Sequence, residues 1–333
     1  MIVRARAAWW IGGMDTHAAD RCMKRRLLHA SAEAYQPGAP AAPGAVGWLE
    51  PPVVVQRNAE IGRRLVDQAL VGRVREGVVV AIRGSLPPFP GQGQDGFSVL
   101  LDWLNDSLAM CIEAPEYGGG VHLGFADAMY RLWEDADGRP GIRRAIQMML
   151  DVNRFDHAAR PHLFLTGHSK GGALANLAAL RAARQEEWAK LPISVATIAA
   201  PRVGNAAFAQ AYAAERIACL RYEIASDIVP HLPPGPQTPR WLRRMIRELI
   251  PRLATGDYHA VGERVSGAQG ARPWASAWLA HLAGLFTRDG VRLMLRSPSA
   301  LAAHAISPHS TYDRLICLGE AGCSHGRLAF QQS

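Results

Sequence analysis

Three residues far apart in the chain would make a nucleophilic site if folding brought them together: a serine, an aspartate and a histidine. The serine is Ser169, in Gly167-His168-Ser169-Lys170-Gly171. Its flanks give the pattern weight: Leu163-Phe164-Leu165 reads as a buried strand ending at Gly167, and Ala173, Leu174, Leu177, Ala178 and Leu180 follow with helical spacing. A G-x-S-x-G segment between strand and helix is the sequence form of a nucleophile elbow, in which a sharp turn holds the hydroxyl out at the carboxyl end of a sheet. The positive end of the following helix would favour an oxyanion there.

A serine hydroxyl needs a base, and the base needs an orienting carboxylate, which in elbow hydrolases follow in the order serine, acid, histidine. Asp227 follows the strand expected to end at Ile224-Ala225-Ser226, so it is expected on the same rim as Ser169; Asp257, Asp289 and Asp313 have no buried strand before them. Among the histidines after Asp227, His281 and His304 fall in helical patterns. His309, in Ser307-Pro308-His309-Ser310-Thr311-Tyr312, and His259, in Asp257-Tyr258-His259-Ala260, both remain candidates for the base on spacing alone. Two backbone N–H groups are needed for an oxyanion hole. Lys170, after the nucleophile, supplies one, and Ser85, after the apolar Val78 to Ile82 and Arg83-Gly84, is placed to supply the other.

The elements that must position these residues alternate. Ala69 to Val74 and Gly77 to Gly84 flank Glu76-Gly77 as a hairpin feeding a buried strand, and helix-strand steps then run from Ile142 to Leu150, Ala173 to Trp188 and Ala206 to Glu215, with strands between. Such alternation implies an α/β fold, a mostly parallel sheet covered by helices on both faces. Residues 1–52 read as an N-terminal leader and a Pro/Gly-rich connection, with a helix at Arg21 to Tyr35, and residues 53–333 as one domain. Leu86 to Gln94, rich in Pro and Gly, suits a lid. Residues 233–306 break the rhythm as a helical cap before His309, and within it Arg240, Arg243, Arg244 and Arg247 line one face of an amphipathic helix. That helix fits either an anionic membrane surface or ordinary packing on the core.

Composition narrows the class. The 333 residues are 49% hydrophobic and 20% charged, as in a globular protein with a large core, and the net charge of +8 comes with no nucleic-acid-binding signature. Five cysteines without a C-x-x-C pair argue against a disulfide framework or structural zinc, and imply a cytoplasmic setting. No apolar run is long enough to form a transmembrane segment.

Four segments together resemble the class 3 lipase family of α/β-hydrolases: Val80-Ala81-Ile82-Arg83-Gly84-Ser85, Gly167 to Leu174, Ala200-Pro201-Arg202-Val203-Gly204-Asn205, and Ser226-Asp227-Ile228-Val229-Pro230. Asp102-Trp103, Val121 to Phe125 and His309-x-x-Tyr312 add smaller matches. The resemblance implies an α/β-hydrolase fold, with Ser169 as nucleophile, Asp227 as acid, His309 as base and Ser85 with Lys170 as oxyanion hole. It also implies hydrolysis of carboxylic esters of lipids through an acyl-enzyme, with no metal or organic cofactor. A phospholipase, thioesterase or acyltransferase would use the same triad, and a non-catalytic lipid-binding protein is the alternative from another class. Ile82 stands where an aromatic is common in the family, and the Asp227-to-His309 segment is longer than in compact fungal relatives.

Overall fold

The computed structural model describes residues 16–36, 44–58, 65–85, 110–151, 161–224, 227, 229–238, 240, 243–244, 257–266 and 316. Among them lie the helices α1 (Thr16–Glu33), α2 (Leu123–Trp133), α3 (Ile142–Leu150), α4 (Lys170–Ala183) and α5 (Ala206–Ala214). The strands are β1 (Val53–Asn58), β2 (Leu65–Val74), β3 (Gly77–Ile82), β4 (Cys111–Ala114), β5 (Gly119–His122), β6 (His162–His168), β7 (Ile193–Ile198), β8 (Ala218–Tyr222) and β9 (Glu263–Val265). Seven of these strands form one sheet in the order β1-β2-β3-β6-β7-β8-β9, and β4 and β5 form a separate antiparallel ribbon.

The expected hairpin is present: β2 and β3 pair antiparallel, with Val74 opposite Gly77. From β3 onward the sheet is parallel, each strand reached through a covering helix or crossover. β3 is apolar throughout because both its faces are buried. Its alternate side chains serve two cores. Val78, Val80 and Ile82 pack with α2, α3 and α4 on one face, while Val79 and Ala81 pack with α1 on the other. Val195 of β7 shares the first core and Ala196 and Ile198 the second, so the period of two organises the whole centre of the sheet.

Helix α1 is structural. Met23, Leu27, Leu28, Ala30 and Ala34 close the second core. Ser31 Oγ bonds Thr166 Oγ1 of β6 at 2.8 Å, and Arg26 Nη1 grips both carboxylate oxygens of Glu76 at 2.8 Å, fastening the helix to the β2–β3 turn. The folded core therefore draws on residues upstream of 53, in the stretch expected to be leader and connection. The short strands β1, β4, β5 and β9 were also not expected. The expected lid, most of the cap and residues 1–15 lie outside the described residues.

Replacing the fully buried Leu27 with Ala should lower the unfolding free energy in urea by about 2–5 kcal/mol. A change under about 0.5 kcal/mol, the usual range for surface positions, would show that α1 does not close the core.

Candidate active site

The turn after β6 is built by close backbone approach. A Cβ on Gly167 would come within 2.3 Å of Gly171 C, and one on Gly171 within 2.0 Å of Ile82 O. A Cβ on Gly172 would come within 2.7 Å of Ala200 Cβ. Only hydrogen fits at these positions, so β6 can reverse into α4 while α4 rests against the end of β3. Ser169 takes φ 56° and ψ −130°, outside the regions a non-glycine residue normally occupies, and such a residue stores about 1–3 kcal/mol. Its amide is held by Ile198 O at 2.9 Å. Serine at a helix N-cap ordinarily spends its hydroxyl on the first-turn amides. Here, at that φ and ψ, the side chain makes no capping bond.

The candidate oxyanion donors fall on the same rim. Ile82 of β3 pairs with Gly167 of β6, so Ser85 and Lys170 each come three residues beyond a registered pair. Lys170 is the first residue of α4, ahead of the bonds from Gly172 and Ala173 amides to Ser169 O. Asp227 lies beyond the end of β8, two strands from β6, and is buried. Its amide donates to Ile224 O at 3.1 Å and its Oδ1 accepts the Val229 amide at 2.9 Å, which fixes the carboxylate. His231 follows closely in a short 3-10 turn; burial, reinforced by Arg202, lowers its pKa to about 4, so its imidazole is neutral at pH 7.

A set of polar residues behind the elbow was not singled out from sequence. Lys170 Nζ donates to Asp67 Oδ1 at 2.6 Å, and Arg131 Nη2 of α2 donates to Asp67 Oδ2 at 2.7 Å. Burial alone would raise the Asp67 pKa, but Lys170 and then Arg131 overcome it and hold the carboxyl below its ordinary value. Arg83 donates to Gln68 Oε1 at 3.2 Å, and Tyr35 Oη bonds His168 Nδ1 at 2.8 Å. Asp67 lies ahead of the strand expected from Ala69 to Val74, because β2 begins earlier, at Leu65, so nothing in the sequence singled it out.

Of the two candidate bases, His309 lies outside the described residues, as do Asp102 and Trp103. His259 is engaged elsewhere: its amide donates to Gly204 O at 2.8 Å and its ring meets Asp257 Oδ2 at 3.3 Å, with no hydrogen bond to Ser169 or Asp227. The Ala200-to-Asn205 segment is structural. Asn205 Oδ1 caps α5 through the Phe208 amide at 3.0 Å and also accepts the Gly120 amide at 3.1 Å. Among the described residues no group of three or more His, Cys, Asp or Glu side chains is placed to hold a metal, and no helix is long and apolar enough to cross a membrane.

A mostly parallel sheet with a strained serine turn at a helix N-terminus is the architecture of the α/β-hydrolase fold. Residues 79–236 match the model of a family described as Lipase (class 3). A lipase of Rhizomucor miehei is 32% identical over 142 residues, 42% of this chain and 36% of that protein. The chloroplastic phospholipase A1-Igamma2 of Arabidopsis thaliana is 27% identical over 173 residues, 48% of this chain and 31% of that protein. The chain thus spans about a third of the length of these curated relatives. A solved lipase from Rhizopus microsporus var. chinensis shares the fold, with a TM-score of 0.50 at 21% identity over 75% of each chain.

If Ser169 is strained, removing its Cβ should relieve the strain. Ser169→Gly should be more stable to urea than Ser169→Ala by about 1 kcal/mol, the strain released less the added flexibility of the unfolded chain. Equal stability, or a more stable alanine variant, would contradict the strained turn.

Proposed function

We propose that the protein is a serine hydrolase that cleaves carboxylic esters of lipids, with Ser169 as nucleophile, Asp227 as acid, His309 as base and the Ser85 and Lys170 amides as oxyanion hole. The observation that carries this reading is Ser169 itself: a strained, nearly buried serine whose hydroxyl is withheld from helix capping at the rim where Asp227 also ends. Attack on the ester carbonyl transfers the serine proton to His309, and the tetrahedral oxyanion is held by the two amides. Collapse expels the alcohol, which takes the proton from His309, and leaves an acyl-enzyme that water cleaves by the reverse proton path.

The His259 ring pairs with Asp257 and not with Ser169 or Asp227, which supports His309 as the base. Acylglycerols are the substrate class favoured by the likeness to fungal lipases, and the plant phospholipase A1 favours an ester bond of a phospholipid as the second reading. Free thiols at Cys111 and Cys219 support a reducing, cytoplasmic compartment. Arg240 and Arg244 are exposed and fit an anionic lipid surface, whereas Arg243 turns back to donate to Pro236 O at 2.9 Å; Arg247 lies outside the described residues.

On a panel of acylglycerols, phospholipids, thioesters and amides, turnover should be confined to carboxylic esters. His309→Ala should lower kcat by about 10⁴-fold, and His259→Ala should leave it within about twofold. The reverse pattern would move the base to His259. Binding to anionic vesicles should weaken when Arg240 and Arg244 become Gln; unchanged flotation would remove the surface role.

A further inference from the structure

The residue that follows the nucleophile carries a long cation, and the structure shows where it goes. Lys170 is only 4% exposed and its ammonium sits 2.6 Å from Asp67, whose side chain is fully buried. Asp67 belongs to β2, which is separated from β6 by β3. The β2–β3 ladder pairs Ala69 with Ile82, and the Arg83 amide continues it by donating to Gln68 O at 2.9 Å. Carrying the register one step further places Asp67 level with Gly84. The Lys170 side chain therefore strides across the end of β3, over the point where that strand delivers Ser85.

We propose that the Lys170–Asp67 bridge is a positioning device for the oxyanion hole, fixing the Lys170 amide relative to the Ser85 amide by tying the first turn of α4 to β2 across the end of β3. This rests on the reading of Ser169 as nucleophile and deepens it, with Lys170 acting through its side chain on the geometry of a backbone donor. The anchor is rigid because Asp67 is held at its second oxygen by Arg131, itself paired with Asp127, and the Arg83 guanidinium interacts electrostatically with the same carboxylate. The choice of residues supports positioning over simple stability. Burying an ammonium and a carboxylate carries a desolvation penalty that their attraction offsets only with good geometry, and apolar side chains of similar size fill such space without it. Donors preorganised toward a developing oxyanion have a strict geometric requirement, and a displacement of about 1 Å can lower turnover about 100-fold.

The test compares two full-chain variants that each delete a buried ion-pair cation. Lys170→Met removes the tether while Asp67 keeps Arg131. Arg73→Met removes the pair with Glu50 on the same strand β2 but at the opposite end, where Arg73 faces Val78. Both variants should lose thermal stability. Only Lys170→Met should lose kcat on a soluble short-chain p-nitrophenyl ester, by about 10- to 100-fold with KM within about twofold, and slow in phosphonate labelling of Ser169 by the same factor. If Lys170→Met yields no folded protein, Lys170→Gln carries the same comparison. Wild-type kcat in the Lys170 variant, or a parallel loss of kcat in both variants, overturns the proposal. A wild type that neither turns over nor is labelled overturns the nucleophile reading together with this one, so the two failures are distinguishable.

Discussion

The structure depends on one close approach: the backbone of Gly171 against the carbonyl of Ile82, where a single added carbon would stand 2.0 Å from oxygen. That contact presses the start of α4 against the end of β3. With the Ile82–Gly167 register it decides that Ser85, Ser169 and Lys170 share one rim. A larger residue at 167 or 171 would separate the helix from the strand, and the serine would become an ordinary N-cap. The strain at Ser169 is the counterpart of this packing, and the two buried cores on either side of β3 and β6 hold it in place.

Those cores explain why an unfavourable turn and a buried ion pair are both tolerated. β3 is apolar on both faces and β6 adds Leu163, Phe164 and Leu165, and each buried Val, Leu or Ile contributes about 1.5–3 kcal/mol relative to exposure. A local deficit of about 1–3 kcal/mol at Ser169 is small against several such side chains. Polar groups are admitted where they pair. Thr166 bonds Ser31 and Ala196 O, Gln68 bonds Ala34 O and Arg83, and Asp67 joins Lys170 to Arg131.

Much of this was legible in the sequence because it is local. Gly167-x-Ser169-x-Gly171 between an apolar run and an Ala/Leu helix specifies the elbow within about ten residues, and the Glu76-Gly77 hairpin and the helices at 142–150 and 206–214 follow from turn chemistry and periodicity. What escaped depends on contacts between distant segments. α1 is amphipathic enough to be expected as a helix, but nothing in residues 16–33 announces that Leu27 and Ser31 reach β6. Lys170 reads locally as the residue after the nucleophile, while its partner lies 103 positions upstream. β4, β5 and β9 are three or four residues long, too short for alternation to show. The choice of His309 rests on chain order and family resemblance, and on the His259 ring pairing with Asp257 instead of Asp227.

The central claim is that Ser169 attacks an ester and carries its acyl group. It is tested most directly by rapid mixing of the protein with a slowly deacylating p-nitrophenyl ester, acid quenching and mass measurement of the intact chain and its peptides. The account predicts a burst of p-nitrophenol equal to the concentration of active sites, with one acyl group on the peptide that contains Ser169. Turnover without an acylated intermediate, or acylation on another residue, would contradict it.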